Sequence, residues 1–233
     1  MSYGKRIFLR RELPDPALIR AFEALPAANV ADVMNRSSAM DPRIRLISLP
    51  KKKAVCGPAL TVKCRAGDNL TLHAAMDMAE EGDFLVVSNE GDDSRSLMGA
   101  IMTAYLSVQR KAAGIVLDGP IRDLDELSQW DFPIYATGST PGGPYKEGPG
   151  EINVPVSCGG ISVFPGDLIL ADRDGIVVIP RKEATEILEA AKAYHIKDEK
   201  SLQDALQGKA ERSWVSEKIA EKGYEIIDDL WKP

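Results

Sequence analysis

Histidine is almost missing from this chain, with His73 and His195 the only two in 233 residues. A zinc site built on imidazoles is therefore not expected. Cysteine is scarce as well. Cys56, Cys64 and Cys158 stand apart, odd in number and without a Cys-x-x-Cys pair. Such thiols read as reduced and buried, so a cytoplasmic protein is expected. Long apolar runs are lacking, and residues 1–15 hold no apolar core of signal-peptide length. No membrane association and no leader are expected. Basic runs are short. The densest, Lys51-Lys52-Lys53, has no interleaved aromatics, and the formal charge is −6, so nucleic acid is not an expected partner. No GxGxxG follows a strand, and GxxxxGK[ST] and GxSxG do not occur. Their absence argues against dinucleotide, P-loop and serine-hydrolase chemistry, and an S-adenosylmethionine site has no glycine-rich support. Any metal would have to be held by oxygens, which favours Mg²⁺ or Mn²⁺.

What is present is ordinary soluble composition, 44% hydrophobic and 27% charged. Asp15-Pro16 predicts a helix through about Leu25, and Asn29 a cap for a second short one. Residues 54–64 read as strand with a Gly-Pro break, and Asp68-Asn69 caps a helix with apolar residues at helical spacing. FLVVS (84–88), a helix over roughly 96–112, GIVLD (114–118), a helical segment from Asp123 to Gln129 and PIYATG (133–138) follow. This alternation of strand and helix predicts an α/β protein with parallel pairing. Residues 139–150 are dense in Gly and Pro and must be a loop. Short strands follow in VPVSCGG, ISVF, DLILAD and GIVVIP, and from Arg181 the chain reads as helix, with Gly208 and Gly223 as helix ends. We expect a single domain over 1–233 whose residues 180–233 form a helical C-terminal arm.

The richest stretch is Gly114–Asp123, an apolar strand that runs into a turn holding Asp118, Arg122 and Asp123. Ligands of α/β proteins bind past the carboxyl ends of strands. There an Arg-Asp pair offers a cation for an oxyanion and a hard oxygen for a divalent metal. Gly99-Ala100-Ile101-Met102 opens a helix. Its amides can hold a carboxylate, or Gly99 can simply permit close packing. Asp172 and Asp174 resemble metal ligands, yet Asp-Arg-Asp-Gly between two apolar strands is first a hairpin turn. Tyr145 and Lys146 fit either a pocket wall or an interface clamp. His73, among apolar residues at helical spacing, reads as packed.

GIVLDGPIRD, GPYKEGPGEINVPVSCGG and PGDLILADRDGIVVIP resemble the regulator of ribonuclease activity A-like family. Weaker matches lie at 57–87 and in AERSWVSEKIAEKGYEII. That family includes the 4-hydroxy-4-methyl-2-oxoglutarate / 4-carboxy-4-hydroxy-2-oxoadipate aldolases, and some members carry a demethylmenaquinone methyltransferase-like label. The resemblance implies a core of the swivelling β/β/α type with flanking helices, in homotrimers or homohexamers with active sites between subunits. It implies that Arg122 binds substrate, that Asp123 anchors Mg²⁺ or Mn²⁺, and that Gly99, Ala100, Ile101 and Met102 form the substrate loop. It further implies that Glu199 reaches the metal from a neighbouring subunit. Two departures stand out. Ala100 occupies a position where the aldolases carry an acid, and this chain has one extra residue between Gly99 and Gly114. Asp92 and Asp93, on the preceding loop, are the candidates to replace that acid.

The activity so implied is metal-assisted cleavage of a 4-hydroxy-2-oxo acid to pyruvate, with Arg122 and Asp123 as catalytic residues and oxaloacetate decarboxylation as a side reaction. A Schiff-base route through Lys111 or Lys146 is disfavoured, since neither sits in apolar surroundings. The alternative is a non-catalytic protein that binds and regulates ribonuclease E. A methyltransferase reading lacks its cofactor loop.

Overall fold

FLVVS and GIVLD owe their strand form to apolar residues that have a core on each side. The computed structural model describes residues 3–232, in one unit ending at His195 and another beginning at Ile196. In the first unit the strands are β1 (Arg45–Leu46), β2 (Ala54–Cys64), β3 (Phe84–Ser88), β4 (Gly114–Asp118) and β5 (Ile134–Ala136). Later come β6 (Gly150–Ile152), β7 (Val156–Cys158), β8 (Ile161–Val163), β9 (Leu168–Asp172) and β10 (Ile176–Ile179). The helices are α1 (Pro16–Phe22), α2 (Ala27–Val33), α3 (Leu70–Met78), α4 (Ala100–Ala104), α5 (Leu124–Leu127), α6 (Ala184–Leu206) and α7 (Ser213–Glu221).

One sheet runs in the order β1-β5-β4-β3-β2-β9-β10, with β6 also on β2, and β7 and β8 pair apart from it. Pairing is parallel across β2, β3, β4 and β5, as the alternation predicted. Every residue of β3 and β4 is buried. Leu85, Val87, Ile115 and Leu117 face a core shared with α3 and the 97–106 segment, whereas Phe84, Val86 and Val116 face one shared with β7, β9 and β10. Coverage on both faces is why these strands read as continuous apolar runs. A third core packs α1, α2 and the start of α6 on β9 and β10.

The Gly-Pro break expected in β2 does not occur. Gly57 and Pro58 stay paired with Ile169 and Leu168, and from Ala59 the strand pairs with β3 instead. Gly57 is the residue that lets β3 approach, because a Cβ there would overlap the Gly82 carbonyl. Asn29 does not cap a helix. It is buried inside α2, and the Ala27 N–H donates to Asp172 Oδ2 at 2.9 Å. The Asp172 Oδ1 also accepts from the Asp174 N–H, so this acidic pair builds the β9–β10 hairpin. The helix expected over 96–112 begins only at Ala100 and turns into a π turn, Tyr105–Gln109. Gly208 and Gly223 do end helices, both with positive φ, but residues 224–232 are not helical.

Candidate functional site

The site lies where β4 ends. Asp118 closes the strand and, contrary to the expected charge cluster, turns away from Arg122 and Asp123. Its carboxylate pairs with Arg43 and accepts the Gly159 N–H at 3.2 Å. The turn beyond it is laced to both neighbouring segments. The Leu97 N–H donates to the Pro120 carbonyl, the Arg122 N–H to the Met98 carbonyl, and the Thr140 N–H to the Ile121 carbonyl, at 2.9 to 3.0 Å.

Asp123 sits just before α5 with φ 61 and ψ 42, a left-handed conformation that Asp tolerates better than most residues. This backbone aims the carboxylate back across the turn. Its Oδ2 accepts the Ala100 N–H at 2.9 Å and lies 4.0 Å from Arg122 Nε. Oδ1 accepts no hydrogen bond among the described residues. Both side chains are about half exposed, 48% for Arg122 and 45% for Asp123. They line a cavity of about 380 Å³ with Leu124, Ser139, Thr140 and Pro141. Two larger clefts lie away from this turn, one bordered by Leu13, Cys56 and Asp83 and the other by Arg10, Asn153 and Glu186.

Gly99 serves close packing. A Cβ there would overlap Asp123 Oδ2 and come within 2.9 Å of Arg122 Cγ. Ala100 gives its N–H to Asp123, which leaves the N–H groups of Ile101 and Met102 in the first turn of α4, where no intrahelical acceptor exists. The structure thus brings Gly99, Ala100, Arg122 and Asp123 together. Glu199 is an exposed residue of α6 and belongs to the second unit. The two loop acids proposed to replace an acid at position 100 both accept hydrogen bonds within or near their own loop. The Asp92 carboxylate accepts from Ser94, and Asp93 accepts from the Thr137 hydroxyl at 2.5 Å.

The chemistry of the donors suits a hard divalent ion. No group of three or more His, Cys, Asp or Glu able to hold a metal occurs among the described residues. Mg²⁺ needs less, since it keeps several waters and takes one or two carboxylates. Asp123, fixed through Oδ2 and with Oδ1 bare, meets that requirement.

Sequence reasoning missed the fastening of the Gly-Pro loop. Buried Asp68 caps α3 by accepting the Leu70 N–H, and its Oδ2 accepts the N–H groups of Glu147 and Gly148 at 2.7 and 2.9 Å. Arg95 holds the Gly143 carbonyl and the Tyr145 hydroxyl. Asp68 had a signal as a cap, but nothing in the sequence ties Arg95 to a loop some fifty positions on. His73 is packed as expected. Burial lowers its pKa, the Lys146 charge adds to that, and its Nε2 is buried without a partner.

The model of the RraA-like family, described as Aldolase/RraA, matches residues 27–178. A protein of Halalkalibacterium halodurans named "Putative 4-hydroxy-4-methyl-2-oxoglutarate aldolase" is 36% identical over 181 residues, covering 78% of this chain and 85% of its own length. The solved structure of Streptomyces coelicolor RraAS2, described as an unusual member of the RNase ES inhibitor RraA protein family, superposes with a TM-score of 0.73. It is 31% identical and spans 82% of this chain and 98% of that one. The RNA-processing inhibitor RraA from Thermus thermophilis matches with a TM-score of 0.60 at 26% identity, over 66% of this chain and 92% of that one. The mixed α/β architecture described above is the fold of these neighbours.

Proposed function

The chain belongs to the RraA-like family, and from that premise we propose that it is a divalent-metal-dependent aldolase that cleaves a 4-hydroxy-2-oxo acid to pyruvate. The observation that carries this reading is the Arg122–Asp123 turn. It sets one fixed carboxylate with a bare oxygen beside an uncommitted guanidinium at the end of a parallel strand. The relative named as an aldolase supports the reaction class.

Asp123 would hold Mg²⁺ or Mn²⁺, joined by Glu199 of the partner subunit as the resemblance implies. When bound, the ion supplies Lewis-acid stabilisation of negative charge on the substrate's 2-oxo oxygen. Arg122 donates charged hydrogen bonds to the 2-oxo and carboxylate oxygens, which stabilises the developing enolate. The N–H groups of Ile101 and Met102 orient the carboxylate, while the Ala100 N–H keeps Asp123 in place. Ser139, Thr140 and Pro141 wall the cavity. Neither histidine lines it, so water takes the 4-hydroxyl proton. The same enolate chemistry makes oxaloacetate decarboxylation the expected side activity. Exposed Ile101, Leu124 and Tyr145 around the turn support a homotrimer or homohexamer with sites between subunits, and buried free thiols support a cytoplasmic setting.

Pyruvate release from 4-hydroxy-4-methyl-2-oxoglutarate and from oxaloacetate, with Mg²⁺ or Mn²⁺ and then with EDTA, tests the proposal. Turnover that EDTA abolishes and Asp123→Ala removes is expected. Full metal-dependent activity in Asp123→Ala would sink it. Two observations favour a second reading: Ala100 brings no carboxylate, and the S. coelicolor neighbour is described as a member of the RNase ES inhibitor RraA protein family. Capture of a ribonuclease E scaffold without any turnover would select that non-catalytic role.

A further inference from the structure

Arg95 lies between the acidic loop after β3 and the start of α4, and it is held unusually firmly for a partly exposed arginine. Nη1 donates to the Gly143 carbonyl at 2.9 Å and Nη2 to the Tyr145 hydroxyl at 2.8 Å. The guanidinium also stacks 4.1 Å from the centre of the Tyr145 ring. A guanidinium has five N–H donors, so three stay available. These partners are a carbonyl, a hydroxyl and a ring, and none of them carries charge.

Arg122 approaches the same residue. A Cβ built on Gly143 would lie 3.5 Å from Arg122 Nη1. Its nearest acid, Asp123, meets Nε at 4.0 Å and leaves both Nη groups uncommitted. Two guanidiniums therefore flank Gly143: Arg122 has only the 4.0 Å contact to Asp123, and Arg95 makes no ion pair among the described residues, although the Asp92 carboxylate borders Gly67 beside the Arg95 stem. Planar cations held rigid by stacking and backbone bonds lose little entropy when they take up a carboxylate. A ligand with an anion at each end satisfies both.

We propose that Arg95 receives the far carboxylate of the substrate and makes the site selective for 2-oxo diacids over 2-oxo monoacids. This rests on the reading of Arg122 as the group that takes the 2-oxo end. The competing role is a plain staple that holds the 143–145 segment, and such a staple would not distinguish the two ligand classes.

Calorimetry of the full chain with Mg²⁺ compares 2-oxoglutarate with 2-oxopentanoate, which share a carbon count and differ at the far end. The wild type is expected to bind the diacid at least about tenfold more tightly, and Arg95→Gln to bring that ratio close to one. An unchanged ratio in Arg95→Gln, or a wild type that binds neither ligand or both alike, overturns the proposal. Should Arg95→Gln fail to fold, Arg95→Lys and Tyr145→Phe decide. Loss of the planar fork in Arg95→Lys lowers the ratio, whereas Tyr145→Phe, which removes only the hydroxyl anchor, preserves it. The reverse pattern overturns the proposal. Pyruvate release from 4-hydroxy-2-oxoglutarate against 4-hydroxy-2-oxopentanoate should show the same ratio. Arg95-dependent diacid binding without turnover of either would remove the lyase reading and leave the carboxylate assignment standing.

Discussion

At Gly99 the backbone has room for nothing larger than hydrogen, and the reason is functional geometry rather than a special φ. Asp123 Oδ2 and the Arg122 stem occupy the space that a methyl group would take. Gly99→Ala must therefore push the turn outward. A misplacement of about 1 Å costs on the order of 10²-fold in rate, so pyruvate release should fall by about that factor while circular dichroism stays native. Unchanged turnover would show that the turn is not where chemistry occurs. His73 gives a second test at this scale. Burial and the Lys146 charge favour its neutral form in the fold, with Asp77 opposing. The unfolded chain protonates its histidine near pH 6.5. As the pH falls through that value, the unfolded state binds a proton that the folded state takes up only at lower pH. Stability should fall over that window and then level off. His73→Gln should flatten the decline, as read from denaturation midpoints between pH 7 and 5.

Among the elements, the Gly-Pro loop and the π turn shape the site most. Residues 139–150 are fastened at Glu147 and Gly148, where buried Asp68 takes two of the loop's N–H groups along with the first N–H of α3. Asp68→Ala leaves three donors without an acceptor, and stability should drop by about 3 kcal/mol. Chemical denaturation should show the drop, with a raised KM as the loop loosens. A stability loss below about 1 kcal/mol would mean that the loop is held elsewhere. The π turn Tyr105–Gln109 offers a place for the extra residue that the resemblance implies between Gly99 and Gly114. The Arg110 N–H reaches back five residues to the Tyr105 carbonyl, so one more residue fits in the turn while Gly99 and β4 keep their places. Periodicity could locate a helix near 96–112 but could not show this local widening, because apolar spacing is nearly the same for both turns.

For the molecule as a whole, the thiols report the integrity of the cores. Burial pushes the Cys64 thiol up to about 12 and raises those of Cys56 and Cys158 as well. The thiolate is the reactive form. An aromatic disulfide reagent should label none of the three in the native protein at pH 8 and all three in denaturant. Native labelling would show that a core opens. No helix among the described residues is long and apolar enough to cross a membrane.

The amino-acid sequence by itself determined the strands β3, β4 and β9–β10, the parallel centre, the hairpin at Asp172–Asp174 and the placing of Arg122 and Asp123 in the turn after β4. These follow from local apolar runs and turn chemistry, which act over a few residues. Only the tertiary structure decided that Asp118 turns to Arg43, that Asp172 rather than Asn29 caps α2, that Asp123 adopts its left-handed pose against the Ala100 amide, and that Arg95 and Arg122 meet at Gly143. Each of these joins segments distant in sequence, and a charged side chain takes whichever partner the packed backbone brings within hydrogen-bond reach.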